Sequence, residues 1–178
     1  MLIKDDLRPA IISDAEMRQR VATLHSMAVL DTPPEAAFDA LARIAASVCE
    51  TPMSVISLID GPRVWFKAVR GIDIRGGDSS GSFCLEAANR KQALEVCNAS
   101  HDARFATGPW AGGGFGIHYY AGAPIMYAGV AIGTICAADR VPRRSSPRAL
   151  RSLEDLALIA AVLLRARIEA FEMLSKLR

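Results

Sequence analysis

Four cysteines, three histidines and two glycine-rich segments studded with large aromatics are where this sequence holds material for chemistry. Cys49, Cys84, Cys97 and Cys136 are widely and irregularly spaced, with no Cys-x-x-Cys, so neither a zinc cluster nor a disulfide scaffold is expected and the thiols are read as reduced. Among them Cys84 stands out. Ser82 is placed to cap a short helix whose first turn holds Cys84, and exposed amides at such an end favour a thiolate. Against that stands the burial habit of free cysteine, which makes a packed small side chain the plainer reading. His118 and Tyr120 alternate along a strand and would bring polar groups to a shared face. Asp102 and Arg104 read as an ion pair bracing a loop rather than as a ligand clamp. No histidine pair has metal-ligand spacing, and no spacing establishes a catalytic Cys/His contact, so no catalytic or metal residue is assigned. The run Gly108 to Gly116, with Trp110 and Phe115 inside it, lacks a following Lys-Ser/Thr and leads into a strand, which removes the phosphate-loop reading.

The elements that must hold these residues follow from periodicity. Ser13 and Glu16 form a capping box for a helix with the stripe Met17, Val21, Leu24 and Ala28, running to about Val29. Thr32, Pro33 and Glu35 repeat the device for a second helix, with Phe38, Leu41, Ala45, Val48 and Cys49 inward. Val55 to Ile59 is apolar on both faces and reads as a central strand. Asp60 to Arg63 turns it into Val64 to Val69, with Val64, Phe66 and Ala68 expected on one face and Trp65, Lys67 and Val69 on the other. Further strands are expected at Leu94 to Ala99, His118 to Met126 and Gly129 to Ala138, the second irregular or unpaired near Pro124. Ser146 and Pro147 open a terminal helix carrying two apolar stripes. One is Leu150, Leu153, Ala157, Ala160, Leu164, Ile168 and Phe171; the other is Leu156, Ile159 and Leu163. At about 1.5 Å per residue this helix should outrun the strands, and a homodimer would cover its distal residues, including Leu174.

Composition bounds the class. The 178 residues suit one domain, read as a tail over 1–12 and a single domain over 13–178; 51% hydrophobic and 22% charged residues are those of a folded globular chain. A net charge of +2 gives no field for nucleic acid or membrane over the whole surface, and the cluster Arg140, Arg143, Arg144, Arg148 and Arg151 lacks interleaved aromatics. The apolar run Leu156 to Leu164 is too short to span a bilayer, and the N-terminus, with Lys4, Asp5, Asp6 and Arg8, has no secretory pattern; a cytoplasmic location is expected.

The order of elements and a set of local motifs resemble a bacterial signalling GAF domain. The motifs are Val55 to Asp60 into Arg63 to Ala68, Ser82-Phe83-Cys84, Asp102 to Phe105, Tyr119 to Pro124, and Gly133 to Arg140, in that order over roughly 30–164. The resemblance implies an α+β fold, GAF/PAS-like: a central twisted antiparallel sheet of five to six strands with the N- and C-terminal helices on one face. On the other face it implies a small-molecule cavity, roofed by segments 76–81 and 108–116. Candidate ligand-binding residues are Trp65, Phe83, Cys84, Glu86, Arg104, Phe105, Trp110, His118 and Tyr120. Glu86, Gly108 and His118 depart from the residues usual in the family at those points. The expected role is a non-catalytic sensor in signal transduction, stand-alone here, whose partners would be an unidentified small molecule, a second copy, and a histidine kinase or cyclic-dinucleotide enzyme. The competing class is a thiol-based redox sensor or methionine-sulfoxide-reductase-like enzyme using Cys84. No cofactor is assigned.

Overall fold

The computed structural model describes residues 8–176; residues 1–7 of the expected tail and the Phe171 and Leu174 side chains lie outside the described residues. Its frame is a six-stranded antiparallel sheet. The strands are β1 (Met53–Asp60), β2 (Arg63–Arg70), β3 (Gly76–Asp78), β4 (Leu94–Val96), β5 (Tyr119–Tyr127) and β6 (Val130–Asp139), ordered β3-β2-β1-β6-β5-β4. The helices are α1 (Asp14–Ser26), α2 (Ala36–Val48), α3 (Phe83–Arg90) and α4 (Pro147–Lys176).

Each central strand is buried on both faces, which explains why β1 and β6 read as apolar runs rather than alternations. On one face, Ile56, Leu58, Ile132 and Ile135 pack under Leu24 of α1, Phe38 and Leu41 of α2, and Leu153, Leu156 and Leu164 of α4. On the other, Val55, Val64, Phe66 and Cys136 form a second core with α3 and the aromatic segments. Two layers around a sheet bury more apolar surface than either layer alone, and burial is the main favourable term in folding.

The local signals behave as expected at several ends. Ser13 and Glu16 complete the capping box on α1, and the Ser82 hydroxyl accepts from Leu85 N–H at the start of α3. The β5–β6 turn carries Ala128 and Gly129 at positive φ, the backbone a tight hairpin requires. Pro124 lies beyond the last β4 partner of β5, so its missing N–H costs no ladder bond there, and the β5–β6 register shifts just after it, between Ile125 and Met126.

Four expectations are corrected. The glycine-rich segment at 76–78 is not loop alone: it pairs with Arg63 to Trp65 as an edge strand. The first helix ends at Ser26, because Ala28 and Asp31 adopt positive φ and turn the chain. The second starts at Ala36 rather than at Pro33, and Thr32 does not cap it. Thr32, Pro33 and Glu35 instead receive the buried Lys67 ammonium, at 2.8, 2.9 and 2.5 Å. The fourth lies in β2, where Lys67 is the extra residue of a bulge between the pairs Ile56↔Ala68 and Ser57↔Phe66. The bulge breaks the alternation: Ala68 joins Trp65 and Lys67 on the helical face, and Val69 turns to the other. An ammonium denied water must be bonded on all sides, so this lysine dictates the path of the α1–α2 connection.

The described part of the expected tail is tied down as well. Ala10 N–H donates to Glu86 and its carbonyl accepts from Asn89, both on α3. Glu35 also accepts from Arg167 at 2.5 Å, fastening α4 to the connection that holds Lys67.

Candidate functional site

Beneath α3, on the sheet face opposite α2 and α4, lies a partly open space of about 50 Å³ whose exposed lining is apolar. Val55, Val64, Phe66, Cys136 and Ala138 of the sheet form its floor, Phe83 and Cys84 of α3 one wall, and Trp110 its cover. The two expected roof segments are clipped together: Trp110 Nε1 donates to Asp78 O at 3.2 Å, and its ring lies 4.8 Å from Phe115, nearly parallel. Gly77 fits under that ring because a Cβ there would sit 3.1 Å from it. The space has room for a molecule of only a few heavy atoms.

Of the residues singled out in the sequence, Phe83, Cys84, Trp110 and Tyr120 meet at this space. Phe105 stands one layer back, its ring 4.4 Å from Phe83, which stacks in turn on Tyr120 at 5.1 Å. Trp65 is elsewhere: it lies on the helical face beside Lys67. His118 does not line the space either, since Ile117 takes the wall position and the His118 backbone is spent bridging Asp139 and Ala99.

Glu86 and Arg104 belong to a separate buried charge cluster on the outer side of α3. Glu86 accepts from Arg90 Nε at 2.6 Å and lies 3.5 Å from Arg104, whose fork grips both Asp102 oxygens at 2.9 and 2.6 Å. Burial alone would raise the Asp102 pKa, but the Arg104 hydrogen bonds outweigh it and hold the carboxyl below its ordinary value of 3.8. A depressed carboxylate stabilises the fold above its unfolded value, and that contribution is lost as pH falls through the folded one. Asp102→Asn is therefore expected to flatten the acid limb of a stability profile measured by urea unfolding between about pH 6 and pH 3. An unchanged limb would place the acid sensitivity elsewhere.

Sequence reasoning missed the polar groups beside the site. Ser57 and Thr134 share a hydrogen bond of 2.8 Å in the buried sheet, and Tyr120 O–H donates to Cys84 Sγ at 3.8 Å. The polar groups beside Cys84, Cys136 first and then Ser57, Thr134 and Tyr120, outweigh the burial that opposes its ionisation and lower its pKa to about 6. The neighbouring Cys84 and burial together push the Cys136 thiol well up. Burial likewise raises the Tyr120 hydroxyl, with the Cys84 charge adding to the effect. By contrast Cys49 is pushed up to about 11, chiefly by burial. The alternation Thr134, Cys136, Ala138 against Ile135 already put these side chains on one face, but nothing local said that α3 would land there.

Among the described residues no group of three His, Cys, Asp or Glu is arranged to hold a metal, and no helix is long and apolar enough to cross a membrane. The expected basic cluster is partly consumed locally: Arg143 pairs with Asp139, and Arg140 donates to Phe115 O.

Comparison with known proteins adds four findings. The chain is 36% identical over 136 residues, 76% of its length, to a cyclic di-GMP phosphodiesterase of Pseudomonas aeruginosa, of which it spans only 23%. Its fold is similar to that of the GAF domain of an Acinetobacter phosphoenolpyruvate-protein phosphotransferase, with TM-score 0.64 and 19% identity, covering 87% of this chain and 95% of that one. It is also similar to free methionine-R-sulfoxide reductase from Neisseria meningitidis, with TM-score 0.60 and 15% identity, covering 92% and 95%. The sheet order, the helices on one face and the walled space on the other thus coincide with a GAF domain family model that matches residues 33–164, and the chain belongs to the GAF domain family.

Proposed function

We propose that this domain is a non-catalytic cytoplasmic sensor that admits a small uncharged molecule under α3 and signals through α4. The observation that carries the reading is the apolar space partly covered by Trp110 and the clipped roof segments. An apolar wall leaves a charged ligand's solvation unreplaced, so the ligand class is small and neutral. Native mass spectrometry of protein purified from its own host would detect a retained molecule. Dissolved xenon supplies a generic probe: it should shift methyl resonances of Val55, Val64 and Ala138, and no shift there would overturn the reading.

The output side follows from α4. Leu158, Ile159 and Val162 are 67%, 48% and 58% exposed on one helix, while Leu153, Ala157, Ala160 and Leu164 face the sheet. Of the expected second stripe only Ile159 is exposed; Leu156 is buried and Leu163 packs partly against the core. A second copy of α4 would cover this face as a homodimer, and the 36% identical relative makes a cyclic-dinucleotide enzyme the proposed output partner. Light scattering at micromolar concentration should give a dimer mass that Leu158→Glu with Val162→Glu reduces to a monomer. A monomer before substitution would refute this arrangement.

The competing reading, a reductase of free methionine sulfoxide, finds less support. That substrate carries an ammonium and a carboxylate, and the space offers neither charge partners nor room for its chain. The Cys84 environment favours a thiol role of another kind.

A further inference from the structure

Two cysteines from distant parts of the chain share one wall. Cys84 enters from the first turn of α3 and Cys136 from β6, and both are more than nine-tenths buried against the same apolar space. Their proximity has a geometric cause. Tyr120 folds back along β5 so far that a Cβ on Gly122 would lie 2.2 Å from its hydroxyl. Gly122 is the cross-strand partner of Cys136, and Cys84 Sγ sits 3.8 Å from that same hydroxyl. The Cys84 sulfur is thereby brought to the part of the sheet that carries Cys136, on the wall of one space, with the hydrogen-bonded Ser57 and Thr134 hydroxyls nearby. A hydroxyl donating to the Cys84 sulfur is more than a merely packed cysteine requires.

We propose that Cys84 and Cys136 are a dithiol switch that reduces a small neutral hydroperoxide and closes into a disulfide, with Tyr120 as a positioning residue. The Cys84 thiolate attacks one peroxide oxygen; the S–O bond forms, the O–O bond breaks, and hydroxide leaves to take up a proton from solvent. The Cys136 thiol then gives up its proton and attacks Cys84 Sγ, so that the S–S bond forms, the S–O bond breaks and water departs. Two thiols lose two electrons and two protons, and hydrogen peroxide becomes two waters. An apolar approach suits this oxidant class, because hydroperoxides are uncharged at neutral pH. This deepens the sensor reading, since it uses the same space as the input site.

The test treats reduced full-length protein with stoichiometric hydrogen peroxide, blocks free thiols and maps peptides by mass. Expected are a Cys84–Cys136 linked peptide, loss of two hydrogens from the intact mass, and, in Cys136→Ser, a Cys84 sulfenic acid captured by dimedone. Tyr120→Phe, which keeps the ring stack, should move the pH inflection of Cys84 oxidation upward from about 6. Products confined to Cys49, Cys97 or bonds between chains would overturn the proposal, as would an inflection that Tyr120→Phe leaves in place. Xenon separates the two readings: unreactive cysteines with xenon shifts intact sink the switch alone, whereas absent xenon shifts sink the cavity reading whatever the cysteines do.

Discussion

Phe83→Ala is expected to lower the unfolding free energy by about 3–5 kcal/mol and to create a benzene site. Phe83 is 4% exposed and is the middle ring of a stack with Phe105 on one side and Tyr120 on the other. Removing it costs the transfer energy of the ring plus the void it leaves, and the sheet beneath is too rigid to collapse into that void. The void would merge with the existing space of about 50 Å³ against Val64, Phe66 and Tyr120. An apolar void of that kind stays dry and accepts an apolar guest, so benzene should restore part of the loss through binding to the native state alone. Urea unfolding with and without benzene measures both parts. A loss under about 1 kcal/mol would mean that the roof relaxes inward and that the space is not held open by its frame.

The second large effect is expected at Gly133. A Cβ at this position would lie 2.0 Å from the Ser57 carbonyl oxygen and 3.0 Å from Leu58 Cα. Both obstacles are backbone of β1, itself clamped between β2 and β6, so no side-chain rotation relieves the clash. Gly133→Ala should therefore exceed the usual overpacking cost and reach about 3 kcal/mol or more. The close approach serves the site, since it sets the adjacent Ser57 and Thr134 hydroxyls at bonding distance below Cys84. Gly114→Ala is the control: a Cβ there meets nothing within 4 Å, and its effect should stay within about 0.5 kcal/mol. Equal stability of the two variants would remove the steric account of Gly133.

What the sequence by itself determined are the features written in neighbouring residues. The Ser13–Glu16 box, the Ser82 cap, the Asp60–Arg63 hairpin and the two-faced apolarity of β1 and β6 each rest on spacing within a single turn or strand. The ordered motifs then supplied the family, the sheet and the side on which the helices pack. Tertiary structure alone decided what depends on pairing between distant segments. A capping pattern at Thr32 and Glu35 yields when the Lys67 ammonium, arriving from β2, needs those oxygens more than the helix end does. The bulge at Lys67 reverses the face of Ala68 and Val69, and no alternation rule contains it, because one inserted residue inverts every side chain after it. Cys84 and Cys136 stand 52 positions apart in the sequence, and their meeting required the register of β5 on β6 and the docking of α3. Local physics fixes which way a side chain leaves its own strand or helix; only the packed sheet fixes what it finds there.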